Sequence, residues 1–231
     1  MQNKKQSIVI TGANSGIGFE CVKQFCESFT EKLIVALSRS TNNLQQLSYS
    51  NMHIHSCDVT DYAQLNTIIN AVANEYQICC LINCAGTSYN GDFCSVDNAK
   101  IRQMIDVNIQ GLTNIIELVL PHMRAQKLGT IINLSSLADR YPRPNSAVYG
   151  ASKAYVRSLS DSLRVSEAKH NIRVCNISPA IVDTLLLAKV GKNLNEVIAV
   201  SDFVNIIKFI YEQPQSVCIR DMVVAPTSYE G

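Results

Sequence analysis

The chain has 231 residues, 47% of them hydrophobic, and a formal net charge of +1. That length suits one α/β domain over residues 1–231 with a sizeable core, and the near-neutral charge argues against a nucleic-acid footprint. No run of like charges marks a polyanion-binding tail, no apolar run approaches a membrane span, and the polar start MQNKKQ lacks the long apolar stretch of a signal peptide, so no membrane partner and a cytoplasmic location are expected.

SIVIT (7–11) reads as the first strand, followed by TGANSGIG (11–18) and a helix near 17–29. Gly12 permits a tight turn, Gly16 lets backbone approach a ligand and Gly18 lets helix and sheet pack closely, while the helix N-terminus offers N–H groups to a pyrophosphate. Three residues separate the first two glycines, unlike the one of G-x-G-x-x-G, so an ordinary β–α turn is the competing reading. The position right after strand one favours the phosphate loop. LIVAL (33–37) is the second strand and runs into Ser38 and Arg39, and no Asp or Glu occurs between Lys32 and Cys57. An acid there would hold the ribose hydroxyls of NAD, whereas a guanidinium suits the 2′-phosphate of NADP. NADP(H) is therefore expected over NAD(H). After MHIH (52–55) comes CDVTD. In it Asp58 either accepts a hydrogen bond from an adenine amino group or caps the helix near 61–76, with Thr60 and Asp61 as rival caps.

Further strands are read at 78–83, 129–135, 172–178 and 221–226, and further helices at 97–126, 149–169 and 200–212. Nearly unbroken apolar strands alternating with helices read as a parallel sheet covered on both faces, with ligands bound beyond the carboxyl ends of the strands. The nine cysteines are scattered, without a C-x-x-C pair or zinc spacing. They read as small buried thiols of a reducing compartment, with a redox or catalytic cysteine as the alternative and no metal site.

In YGASK, Tyr149 and Lys153 lie four residues apart on one helical face. A fixed cation beside a phenol lowers its pKa and prepares it to exchange a proton; an exposed helix pair is the bland reading. Together with TGANSGIG, NCAG (83–86), VN (107–108), NLSS (133–136) and SPAIVDT (178–184), this motif makes residues 7 to 227 resemble a short-chain dehydrogenase/reductase.

The resemblance implies a Rossmann-type doubly wound α/β fold of about seven strands, and roles residue by residue. Tyr149 is the general acid/base, and Lys153 lowers its pKa and holds the nicotinamide ribose. Ser136, thirteen residues before Tyr149, is a better match than Ser135 for the serine that binds the substrate oxygen. Asn108 supports a water-linked proton relay. Gly12, Asn14, Ser15, Gly16, Ile17 and Gly18 form the phosphate loop, and Ser38, Arg39, Asp58 and Val59 lie at the adenine end. Asn83, Ala85 and Gly86 line the ribose, and Pro179, Ile181 and Thr184 the nicotinamide. Cys84, Asp139 and Ala180 depart from the family pattern without removing a proton-transfer group.

Arg140 and Arg143 could meet an anionic substrate, although a solvated loop is the plainer reading. LLLAKVGKNLN after Thr184 reads as a modest lid for a small substrate. The ending in a strand and APT resembles the branch of 3-hydroxy acid dehydrogenases and sepiapterin-like reductases. A carbonyl reductase or 3-hydroxy acid dehydrogenase is the first reading. A 3-oxoacyl carrier-protein reductase and a non-catalytic NADP-binding regulator are the alternatives. Met104, Ile105, Ile109, Leu112, Ile115, Ile116, Val119 and Leu120 form an apolar stripe that the resemblance pairs across a two-fold axis in a homodimer or homotetramer, unless it packs on the sheet.

Overall fold

Apolar β-branched runs can leave water only between two covering layers, and that is where the strands lie. A computed structural model describes residues 4–141, 143–184 and 197–229. Seven strands, β1 (Gln6–Thr11), β2 (Leu33–Ser38), β3 (Met52–Ser56), β4 (Gln77–Asn83), β5 (Gly129–Leu134), β6 (Ile172–Pro179) and β7 (Asp221–Val224), form one parallel sheet in the order β3-β2-β1-β4-β5-β6-β7. The helices are α1 (Gly16–Ser28), α2 (Tyr62–Glu75), α3 (Asn98–Ile105), α4 (Leu112–Gln126), α5 (Ala147–Glu167) and α6 (Val200–Glu212). α1 and α6 pack through Cys21, Phe25, Phe203 and Ile207 on one face, and α2, α4 and α5 through Leu65, Val119 and Val156 on the other. The chain winds outward from β1 in both directions, so a crevice opens above the carboxyl ends of β1 and β4.

The helix expected over 97–126 is interrupted. Residues Asp106–Gly111 take a π-helical turn between α3 and α4. Its wider winding turns Asn108 inward, where it is buried, and brings Gly111 so close to Val59 that a Cβ would sit 2.5 Å from Val59 Cγ2. Asp61 wins the cap of α2, accepting from the Gln64 amide at 3.0 Å, while Asp58 accepts from the amide and hydroxyl of Thr60. Six members of the apolar stripe are buried in this chain's own core, whereas Ile109 is half-buried and Ile105 exposed. The sheet therefore accounts for most of that stripe.

Two buried ions brace neighbouring elements. Glu167 at the end of α5 accepts two hydrogen bonds from Arg124 of α4, at 2.6 and 2.7 Å. Arg173 on β6 has no carboxylate partner among the described residues; it donates to Thr130 Oγ1 and to the carbonyls of Tyr211 and Gln213 at 2.9 and 2.6 Å. Carbonyls at the C-terminus of α6 carry partial negative charge, which compensates the guanidinium.

Candidate active site

The turn between β1 and α1 is built to admit a ligand against backbone. Gly12 has φ +63°, and a Cβ on it would stand 2.7 Å from the Ala85 amide nitrogen. A Cβ on Gly18 would meet the Gly12 carbonyl oxygen at 2.3 Å, so only glycine lets α1 start this close to the loop. Gly16 (φ +52°) faces Thr184, whose Cγ2 would be 3.3 Å from a Cβ there. Ser15, the N-cap of α1, makes no capping hydrogen bond through its side chain, and the first turn carries no acid. The free N–H groups of that turn fit the pyrophosphate of a dinucleotide.

The side chain of Asn14 does not face a ligand. Its Oδ1 accepts from the amides of Asn43 and Leu44 at 3.0 and 3.2 Å, which braces the loop after β2 against the phosphate turn. In that loop Arg39 is exposed, with Nη1 3.9 Å from Asp58 Oδ2, so two residues expected at the adenine end are neighbours. Ser38 closes β2 beside them, Ile17 packs on the α1 side, and Val59 is buried under the π-helical turn. The Asn83 side chain is committed to the sheet. Its Nδ2 donates to Asn133 Oδ1 at 2.8 Å and its Oδ1 accepts from Thr11, whose hydroxyl also holds the Ala85 amide. Only the main chain of Asn83 is left to line a ribose. Pro179 ends β6, and Ile181 just beyond it is buried. The segment read as a lid, 185–195, lies outside the described residues.

At the other end of the crevice, β5 and α5 bring Ser136, Tyr149 and Lys153 together. The two serines of NLSS divide the work: Ser135 is buried and donates to the Lys153 carbonyl at 3.1 Å, while Ser136 is half-buried and its hydroxyl accepts from the Ala138 amide. Asn108 spends both amide protons, on the Thr87 carbonyl at 2.9 Å and Ser152 Oγ at 3.0 Å, and accepts from the Thr87 amide at 2.8 Å. Its side chain locks the loop after Gly86 to α5, which leaves a relay role to its main chain. A Cβ on Gly86 would come within 3.4 Å of Asn108 Oδ1 and 3.7 Å of Lys153 Nζ, so the loop closes directly over these groups.

Lys153 is 7% exposed and donates to the Leu134 carbonyl at 2.8 Å. Burial drives its pKa down to about 8, against the pull of Cys84 and Asp139. The ammonium expected to act on the phenol stands over the Tyr149 ring, 5.8 Å from its centroid. Burial holds the Tyr149 hydroxyl above its ordinary value, while Ser136 and the Arg143 guanidinium pull it down and Asp139 pushes it up.

Arg140 is neither solvated nor free for a substrate. Its side chain is 16% exposed and lies between Asp139 and Asp221. Arg143 is exposed, stacked 5.9 Å from the centre of the Tyr229 ring and donating to its hydroxyl. Beside Val148 a cavity of about 330 Å³ is lined mainly by Tyr89, Phe93, Val96, Ile101 and Met104. Sequence shows Asp139 only as a departure from the family's glycine, because its partners Asn176 and Ser178 are 37 and 39 residues away.

Such a crevice, with a glycine turn at one end and a Ser-Tyr-Lys group at the other, defines a dinucleotide-dependent oxidoreductase of the doubly wound class. The family profile described as short chain dehydrogenase matches residues 6–195, and the chain belongs to that family. An uncharacterized oxidoreductase of Staphylococcus saprophyticus is 33% identical over 97% of both chains. A Haemophilus influenzae protein named "Probable NADP-dependent dehydrogenase" is 32% identical over 97% of this chain and 95% of its own. The closed form of serine dehydrogenase complexed with NADP+ superposes with a TM-score of 0.89 at 26% identity, covering 97% of each chain.

Proposed function

We propose that this enzyme is an NADP(H)-dependent dehydrogenase/reductase that interconverts a carbonyl and a secondary alcohol on a small substrate of the 3-hydroxy acid or simple carbonyl type. The observation that carries the reading is the buried ammonium of Lys153, pinned by one carbonyl beside Ser136 and Tyr149, with two protons left for a ligand at the mouth of the crevice. Bound NADPH supplies the hydride. Ser136 holds the substrate oxygen and Tyr149 gives it the proton, while Lys153 grips the ribose hydroxyls and places a positive charge beside the forming phenolate.

The cofactor assignment rests on Arg39, on the lack of any acid between Lys32 and Cys57, and on the NADP-linked relatives. No described helix is long and apolar enough to cross a membrane. A dimer or tetramer would cover Ile105 and Val165, 42% and 66% exposed on α3 and α5.

The test is NADPH oxidation with small diketones, 3-oxo acids and esters, and a 3-oxoacyl thioester. Turnover is expected with a small carbonyl, and Tyr149→Phe is expected to lower kcat by about 10²–10⁴-fold while NADPH still binds. Equal turnover in the variant would refute the assignment of Tyr149.

A further inference from the structure

A carboxylate withdrawn from water costs several kcal/mol unless its lone pairs are met. The side chain of Asp139 is fully buried and all but saturated. Oδ1 accepts from Arg140 Nε at 2.7 Å, and Oδ2 accepts from Ser178 Oγ at 2.5 Å and from Asn176 Nδ2 and Arg140 Nη2 at 3.3 Å each. Arg140 then reaches across to β7, with Nη1 and Nη2 each 2.9 Å from an oxygen of Asp221 in a bidentate pair. Asn176 donates to Asp221 as well, at 2.8 Å. One polar cluster therefore joins three segments: the turn after β5, the end of β6 and the start of β7.

That turn is the one that carries Ser136. The Ser136 hydroxyl accepts from the Ala138 amide at 3.2 Å, and its carbonyl accepts from the Asp139 amide at 2.9 Å. On its other side the turn presses on α5 one residue past Tyr149, since a Cβ on Gly150 would lie 3.3 Å from the Ala138 carbonyl oxygen. The turn therefore touches β6 through Asp139 and α5 through Ala138.

We infer that Asp139, Arg140 and Asp221 form a clamp of positioning residues that fixes the Ser136–Tyr149 geometry by tying the serine-bearing turn to the last two strands. None of the three contacts the reacting atoms in this scheme, which rests on the proton-transfer roles proposed above. The charged groups that act on the Tyr149 hydroxyl are Asp139 on the turn and Arg143 on the following loop; Arg140 pairs with Asp139, and Lys153 on α5 stands over the Tyr149 ring. Removing the negative charge of Asp139 favours phenolate, so the clamp also bears on the pH at which Tyr149 titrates.

The test uses Asp139→Asn, Asp221→Asn and Tyr149→Phe in the full chain. Tyrosine-ring ¹³C resonances, with the Tyr149 signal assigned from its loss in Tyr149→Phe, follow ionisation without any turnover. In Asp139→Asn the Tyr149 midpoint is expected to fall. The kcat for a carbonyl is expected to fall at least about tenfold, with the KM for NADPH within about twofold, because only the oxygen-binding geometry is disturbed. Asp221→Asn, at the solvent end, is expected to show the same split more weakly, and it decides the matter if Asp139→Asn does not fold. A lowered melting temperature with kcat and the Tyr149 midpoint both unchanged would reduce the clamp to a brace and overturn the inference. If the wild type turns over no carbonyl while the midpoint still moves, the proposed reaction fails and the clamp stands.

Discussion

Replacing Lys153 with methionine removes a charge that the fold holds at a cost. A lysine whose pKa falls from 10.5 to about 8 on folding binds fewer protons in the native state than in the unfolded one. The penalty is fully present below pH 8 and fades as pH rises toward 10.5. Integrated, it amounts to about 3 kcal/mol at pH 7 and about 1 kcal/mol at pH 10. Methionine keeps the stem of the side chain but leaves the Leu134 carbonyl without its partner, a loss of about 1 kcal/mol at either pH. Lys153→Met is therefore expected to be more stable than the wild type by about 2 kcal/mol at pH 7 and to match it near pH 10. Urea unfolding of both proteins at the two pH values, with NADPH absent, measures this directly. A variant less stable than the wild type at pH 7, or a gain equal at both pH values, would refute the argument. The same variant is expected to lose carbonyl turnover, the cost in stability being what the site gives up for function.

Arg39→Ala is expected to reduce the preference for NADPH over NADH by about tenfold or more, measured as the ratio of kcat/KM values, with little change in NADH turnover. Arg124→Met leaves the buried Glu167 carboxylate unpaired and is expected to cost about 3–5 kcal/mol in urea unfolding, most of it recovered in the Arg124→Met/Glu167→Gln double variant. Arg124 holds the Glu167 carboxyl below its ordinary value, so this contribution is present above the usual glutamate range and is lost as pH falls through the folded value. The deficit of Arg124→Met is accordingly expected to shrink below about pH 4.

The sheet was readable because its strands are buried on both faces, which makes each an unbroken apolar run such as ICCLIN or IRVCNIS. Ser136 is preferred to Ser135 because its place thirteen residues before Tyr149 matches the family motif, a choice the resemblance supplies. The π-helical turn was not readable: residues 97–126 keep a helical apolar period throughout, and the close approach of Gly111 to Val59 that accompanies it joins residues 52 apart in sequence. Asn14 and Asn83 look like ligand contacts in their motifs because sequence shows the position of a residue but not the direction of its amide. Asp139 is the clearest case of the same limit. Only the folded topology brings it to Asn176 and Asp221, and so turns a departure from pattern into a buried cluster.

Strand order also sets an order in time. The four strands on the β3 side, β3-β2-β1-β4, are complete by Asn83, before synthesis reaches Asn108, Ser136 or Lys153. The phosphate turn, the Asn14 brace and Arg39 thus leave the ribosome as a set, while β7, the edge strand that pairs with β6 and carries Asp221, is the last of the described strands. A nascent chain acquires the parts that grip a nucleotide long before those that place a proton.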